Sequence, residues 1–135
     1  MSREIKFKYI WSNPTKTNFI TQIFTLDEIE AGNQFEVLEN EPLLKDYKLI
    51  ARVQFTGLLD KNGKKIFEGD IVNAQYNISS FFKKVCVYFE NGCFYVDDKN
   101  PKQNLSIGYF FREKKEIEVI GNIYQNPELL GGENE

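Results

Sequence analysis

The sequence predicts a mostly β fold that contains one short helix. Aromatic residues make up 15% of the chain, with twelve Phe and seven Tyr, and these side chains favour the half-buried surfaces of pleated sheets. Short alternating segments are separated by Gly-bearing turns, a pattern typical of β-rich domains. With 135 residues the chain has the length of one domain. We expect one domain over residues 1–130, with a strand-helix lobe at 1–50, a small partly open barrel at 51–125 and a flexible tail at 131–135.

The first fifty residues predict strands around a single helix. Phe7 and Tyr9 alternate with lysines, which indicates a strand with one apolar face. Thr25 and Glu28 have the spacing of a capping box, in which the two side chains satisfy amides at the start of a helix. Gly32 then ends that helix early. The strands expected in this half are, in chain order, residues 3–11, 19–24 and 34–38.

The clearest element of the second half is a hairpin over residues 83–96. Asn91-Gly92 is the favoured pair for a two-residue type I′ turn, and such a turn places Glu90 opposite Cys93. One face of the hairpin, expected in the core, carries Val85, Val87, Phe89, Phe94 and Val96. The other face carries Cys86, Tyr88, Glu90, Cys93, Tyr95 and Asp97.

The rest of the second half predicts short strands joined by polar turns. In the segment Asp60-Lys61-Asn62-Gly63, glycine supplies the positive φ that such turns require. The expected elements are, in chain order, strands at 49–55, 71–76, 107–111 and 116–124, loops at 77–80 and 97–104, and a helical turn at 127–130.

Several classes of chemistry are excluded by residue content. The chain has no histidine, so Ser-His-Asp and Cys-His nucleophiles are ruled out. The hairpin register separates Cys86 from Cys93 by about 13 Å, because strands rise about 3.3 Å per residue, and a disulfide needs less than about 7 Å. Two thiols without histidine also make a poor zinc site. We therefore expect two free cysteines and no cofactor or metal.

Three carboxylates offer one remaining route to catalysis. Asp60, Glu68 and Asp70 lie at neighbouring turns, and paired carboxylates can perform acid-base work or bind a metal in a hydrolase. The alternative is that Asp60 stabilises its own turn and that Glu68-Gly69-Asp70 begins a strand, because turns use Asp and Gly for local reasons. We favour this structural interpretation and rank the hydrolase last.

Lysine pairs flank the predicted strands and suggest a second binding hypothesis. The pairs Lys64-Lys65, Lys83-Lys84 and Lys114-Lys115, with Tyr9, Trp11, Tyr76 or Tyr95, would suit a groove for single-stranded nucleic acid. Lysines at strand edges also simply prevent aggregation. The net charge of −3 favours the edge interpretation, since proteins that neutralise many phosphates are usually basic.

Location follows from the absence of targeting signals. The N-terminal segment is charged and has no apolar core of a signal peptide. No apolar run approaches the roughly 18 residues that span a membrane. We expect a cytoplasmic protein that does not contact membranes.

A family resemblance rests on several motifs in a fixed order. They are Arg3-Glu4-Ile5-Lys6-Phe7, Phe55-Thr56-Gly57-Leu58, Asp60-x-Asn62-Gly63, Glu68-Gly69-Asp70-Ile71-Val72 and Glu118-Val119-Ile120-Gly121-Asn122-Ile123-Tyr124-x-Asn126-Pro127-Glu128-Leu129-Leu130. The chain resembles the YopX family of phage and prophage proteins, which implies a small phage-encoded protein without an assigned activity. The segment at 68–72 is also similar to the starts of strands in SH3-like barrels, which bind partners more often than they catalyse, although fold analogy says little about function.

The leading functional hypothesis is a non-enzymatic binding or assembly module. Its candidate interaction surface combines the Tyr88 and Tyr95 face of the hairpin with four lysines, Lys64, Lys65, Lys83 and Lys84. Tyrosine is enriched at interfaces, so we expect the tyrosine face to mediate association with another copy of the chain. The alternative is that the N-terminal lobe covers this face within one chain.

Overall fold

The structure is a computed structural model that describes residues 5–39, 41–75, 82–97 and 105–131. Strands hold 50% of the described residues and helices 19%, which confirms the mostly β fold. The chain divides into two compact units, Met1–Gly57 and Leu58–Glu135. The described part of the chain has no helix long and apolar enough to cross a membrane. The organisation of residues 1–130 as one domain, with a lobe at 1–50, stays a prediction.

The described strands form two antiparallel sheets and do not close into a barrel. One sheet has the strand order β2-β1-β3-β4, and the other has the order β8-β7-β6-β5-β9. The strands are β1 (Lys6–Ser12), β2 (Phe19–Thr25), β3 (Lys48–Leu59), β4 (Lys65–Phe67), β5 (Asp70–Gln75), β6 (Phe82–Glu90), β7 (Cys93–Asp97), β8 (Leu105–Ser106) and β9 (Ile117–Asn122). The helices are α1 (Leu26–Glu30), α2 (Ile107–Arg112) and α3 (Glu128–Gly131), with 3₁₀ turns at Asn33–Glu36 and Pro42–Leu44.

An aromatic cluster forms the core of the first unit. Tyr9, Trp11 and Phe24 are buried together on one face of β1 and β2. The Tyr9 ring meets Phe24 edge-on at a centroid distance of 5.2 Å, which is a favoured geometry for aromatic pairs. The alternation predicted for the first strand is therefore confirmed, because Phe7 and Tyr9 lie on this face.

Helix α1 begins at the predicted capping box. The Thr25 hydroxyl accepts from the Glu28 amide at 3.2 Å, and the Glu28 carboxylate accepts from the Thr25 amide at 2.8 Å. Gly32 then adopts φ 84° and ends the helical segment. The strand predicted at 34–38 is wrong, because the chain keeps turning after Gly32 into a 3₁₀ turn, with the Phe35 amide donating to the Gly32 carbonyl at 3.0 Å.

The β6-β7 hairpin has the register that its Asn-Gly turn predicts. Asn91 and Gly92 both have positive φ, 53° and 83°, as a type I′ turn requires. Glu90 pairs with Cys93, and Cys86 lies opposite Asp97. Both cysteines are thiols that form no disulfide, as expected, with Cys86 half-buried and Cys93 exposed.

The core of the second unit lies on one face of this hairpin. Val85, Val87 and Val96 are buried there with residues of β4, β5, β9 and α2, and Phe94 packs against them. Phe89 departs from the prediction, because it is 45% exposed. Strand β5 pairs with β6 only as far as Cys86, so the end of the hairpin extends past its neighbour and leaves Phe89 in solvent.

The strand predicted at 107–111 is wrong, because these residues form helix α2. Ser106 precedes the helix, and the buried residues Ile107 and Phe110 are three positions apart, which is the spacing of one helical face. The segment is too short for sequence periodicity to distinguish a helix from a strand. Helix α3 confirms the helical turn expected at 127–130 and extends to Gly131. Residues 132–135 of the expected tail, the loop at 77–80 and residues 98–104 of the other loop lie outside the described residues.

The segment after β9 folds tightly against Gly121. The Asn122 carbonyl accepts from the Asn126 amide at 2.8 Å, and the Asn126 side chain accepts from the Asn122 amide at 3.2 Å. A Cβ atom at Gly121 would lie 2.6 Å from Asn126 Oδ1 and 2.8 Å from Leu129 Cδ1. Only glycine fits at this position without displacing its neighbours.

We predict that Gly121→Ala destabilises the protein by about 2 to 3 kcal/mol, because the new methyl group overlaps packed atoms. Urea denaturation followed by circular dichroism measures the loss. Gly108→Ala is the matched control, since Gly108 lies in α2 and a Cβ atom there meets nothing within 4 Å. That variant should be unchanged or up to about 1 kcal/mol more stable. Equal stability of Gly121→Ala and the unmodified chain would contradict the packing described here.

Candidate functional site

The Asp60 carboxylate organises the turn at residues 60–64, which we call the Asp60 turn. Its Oδ1 atom accepts from the Asn62 amide at 2.8 Å and from the Lys64 amide at 2.9 Å. Gly63 has φ 82°, and its amide donates to the Asp60 carbonyl at 3.0 Å. The side chain therefore satisfies the amides of its own turn, as the structural interpretation of Asp60 predicts.

The same carboxylate also binds the edge of the second sheet. Asp60 Oδ2 accepts from the Val119 amide of β9 at 2.9 Å, and the Lys61 amide donates to the Ile117 carbonyl at 3.0 Å. Ion pairs of Lys61 with Glu116 and Glu118, at 3.4 and 3.7 Å, are exposed and add little stability. The Asp60 turn thus occupies two of the backbone groups that β9 would otherwise present at the sheet edge.

These hydrogen bonds set the charge state of Asp60. Burial of the carboxyl raises its pKa, but hydrogen bonds from the Val119, Lys64 and Asn62 amides, together with the charge of Lys64, outweigh burial and lower the pKa below 3.8. Hydrogen bonds to a carboxylate stabilise its charged form. Asp60 is therefore a fixed acceptor rather than a proton carrier at neutral pH.

The segment Glu68-Gly69-Asp70 also makes structural contacts. Asp70 is 1% exposed, and its Oδ2 atom accepts from the Phe67 amide at 2.8 Å. Gly69 has φ 87°, and a Cβ atom there would lie 2.9 Å from Tyr124 Cε2. Burial, then the charge of Glu68, raises the pKa of Tyr124. Among the described residues, no three His, Cys, Asp or Glu side chains are close enough to hold a metal ion.

The tyrosine pair lies on the hairpin face opposite the core valines. The rings of Tyr88 and Tyr95 stack at a centroid distance of 5.6 Å with an interplanar angle of 27°, and both side chains are half-buried. Cys93 is the main cause that raises the pKa of Tyr95 above 10.0, with Tyr88 and Glu90 acting in the same direction. The two tyrosines of the predicted interaction surface are therefore brought together.

A second aromatic pair was not anticipated as part of this surface. Phe89 and Phe94 lie on the other face of the hairpin end, with ring centroids 4.9 Å apart. No signal in the β6 sequence marks this pair, because its exposure follows from the neighbouring strand: β5 has six residues and β6 has nine. We call residues 88–95 the hairpin tip, since it carries aromatic side chains on both faces.

The four lysines of the predicted surface do not share one face. Lys84 is four residues before Tyr88 in β6, so the two side chains lie on the same face. Lys83 lies opposite Ala74 on the core face. Lys64 ends the Asp60 turn, and Lys65 begins β4. Only Lys84 shares a sheet face with the tyrosine pair.

We predict that Asp60→Asn destabilises the protein by about 2 kcal/mol at pH 7. Asparagine keeps one acceptor oxygen for the turn but directs an amino group at the Val119 amide, which leaves a buried donor unsatisfied. Urea denaturation measures the loss, with Asn62→Ala as the control because that exposed side chain makes only a 3.4 Å bond to Glu118. The control should stay within about 0.5 kcal/mol of the unmodified chain.

The stability loss caused by Asp60→Asn should also depend on pH. The pKa of Asp60 is lowered in the folded chain from an ordinary value of 3.8, so its contribution is present above that value and is lost as the pH falls through the folded pKa. The free-energy difference between the unmodified chain and Asp60→Asn should therefore shrink on acidification below 3.8. A difference that does not change with acid would contradict a charged Asp60.

Similarity to known proteins extends over nearly the whole chain. No curated protein matches the chain. A crystal structure of protein EF1440 from Enterococcus faecalis is similar to it, with a TM-score of 0.48 and 22% sequence identity over 96% of this chain and 99% of that one. The family model described as YopX protein matches residues 5–131, which is nearly the whole chain. The chain therefore belongs to the YopX family.

Proposed function

We propose that this YopX-family chain is a non-enzymatic binding or assembly module of phage origin that acts in the cytoplasm. The observation that carries the proposal is the hairpin tip, where two aromatic pairs project past the neighbouring strand. The carboxylates considered for catalysis support it in a second way. Asp60 and Asp70 both accept backbone amides, so their oxygens serve the fold.

The hairpin tip has the chemistry of a protein-binding surface. Tyr88 and Tyr95 form a stacked pair on one face, and Phe89 is 45% exposed on the other. Tyrosine rings supply a large contact area at low conformational cost. A cross-strand aromatic pair is also held rigid by the strands that carry it. A partner that covers this tip would bury apolar surface without having to order it first.

Binding of single-stranded nucleic acid is the second candidate, and the charge distribution argues against it. On the tyrosine face, Lys84 lies in one cross-strand row with Asn73 and Glu118, and Glu90 lies beside the tyrosine pair. A groove that follows a phosphate backbone needs a continuous basic lining. The tyrosine face instead mixes acidic and basic side chains.

We predict no tight binding to a labelled single-stranded oligonucleotide in a fluorescence titration. The titration is run at low and high salt, because phosphate contacts weaken steeply as salt rises. Lys84→Ala is the informative variant, since Lys84 shares the face of the tyrosine pair. Tight, salt-dependent binding that Lys84→Ala weakens would replace the binding-module proposal with the nucleic-acid one.

We also predict that the tyrosine face mediates self-association. Sedimentation velocity at tens of micromolar should show species larger than the 15.8 kDa chain, and Tyr95→Ala should lower the average mass because it removes one ring of the stack. Phe35→Ala is the control, since Phe35 is an aromatic side chain that is 74% exposed in the first unit. An unchanged mass for Tyr95→Ala would mean that this face does not mediate association.

A further inference from the structure

Strand β2 lies at one end of the first sheet and directs backbone groups away from it. The Asn13 amide donates to the Asn18 carbonyl at 3.2 Å just beyond the β1-β2 pairing. Bonded and non-bonded pairs alternate along an antiparallel ladder. Gln22 therefore bonds to β1, whereas the amides and carbonyls of Thr21 and Ile23 point outward. The Thr25 amide fits this alternation, because it donates outward to Glu28.

This edge lacks the features that usually prevent strands from pairing. Residues 19–25 contain no charged residue, proline or glycine, and their register with β1 continues without a bulge. Thr21 and Gln22 are exposed, and Ile23 is 41% exposed. Natural edge strands are commonly short, charged, bulged or covered. Within the described residues, β2 has such a protection only at its end, where the Glu28 carboxylate occupies the Thr25 amide.

The other sheet ends differ from β2. Strand β9 is covered by the Asp60 turn. Strands β4 and β8 have three and two residues, against seven in β2. Among the four described strands at sheet ends, β2 is therefore the long uncovered one.

The order of residues in β2 suits pairing with itself. In an antiparallel arrangement centred on Gln22, Thr21 lies opposite Ile23 of the partner subunit, and Ile20 lies opposite Phe24 of the partner subunit. The first pair joins two exposed β-branched side chains, and cross-strand pairs of this type stabilise sheets. The second pair contributes less, because Phe24 is already buried in the core of its own unit. The two glutamine amides meet at the two-fold axis, where each can donate to the other.

We propose that β2 pairs with β2 of a second copy of this chain, with the two-fold axis at Gln22. The outward groups of Thr21 and Ile23 meet in the bonded positions of this register. These groups make about four backbone hydrogen bonds, because Thr21 and Ile23 of each copy exchange an amide and a carbonyl with the other copy. This interface uses residues of the first unit, whereas the hairpin tip belongs to the second unit.

Charged substitutions of Gln22, made alone and then mixed, test the interface. The background is Tyr95→Ala, so that association through the hairpin tip does not contribute. In this background the chain should sediment as a dimer, at twice its 15.8 kDa mass. Gln22→Lys and Gln22→Glu each place like charges opposite one another at the axis and should weaken the dimer about tenfold. An equimolar mixture of the two variants should restore it, because opposite charges then meet.

The control is Gln54→Lys, the same substitution in β3, which lies inside the sheet between β1 and β4. It should leave the dimer intact. A monomer in the Tyr95→Ala background at tens of micromolar would overturn the β2 interface. A dimer that neither Gln22 variant weakens would also overturn the β2 interface. Failure of the hairpin-tip proposal is distinguishable, because it appears as equal masses for the Tyr95→Ala and unmodified chains.

Discussion

The Asp60 carboxylate makes the interaction on which the second unit depends. One oxygen closes the Asp60 turn, and the other accepts from Val119 in β9. A single charged side chain thus fixes a local turn and the edge of a sheet that is formed by residues about sixty positions later. Because that carboxylate accepts three amides, truncation of the side chain would leave three backbone donors without their partner at once.

The motifs that identify the family act mainly as folding elements. Asp60 binds β9, Gly69 lies under the Tyr124 ring, and Gly121 makes room for Asn126 and Leu129. Each contact joins segments that are distant in sequence or turns the chain where a side chain would not fit. Residues used in this way are constrained by packing, so the surfaces that bind partners must be sought elsewhere, at the hairpin tip and the β2 edge.

Sequence reasoning succeeded where local rules decide the structure. The Asn91-Gly92 turn fixes the hairpin register through its dihedral angles, and the capping box fixes the start of α1. It failed at residues 107–111, where a short apolar segment fits a helix and a strand equally well. Only the tyrosine pair of the candidate surface was predicted. The tyrosine pair follows from the register, but exposure of Phe89 depends on where β5 ends, which no local signal in β6 reveals.

The most direct test of this account is the protonation of Asp60 in the folded chain. A carbon-13 NMR titration that follows its carboxyl resonance gives the pKa of that one group. Three backbone amides stabilise the charged form, so the titration midpoint should lie below the ordinary aspartate value of 3.8. A midpoint at or above 3.8 would contradict the account, because it would mean that the carboxylate does not hold the Asp60 turn and β9 together.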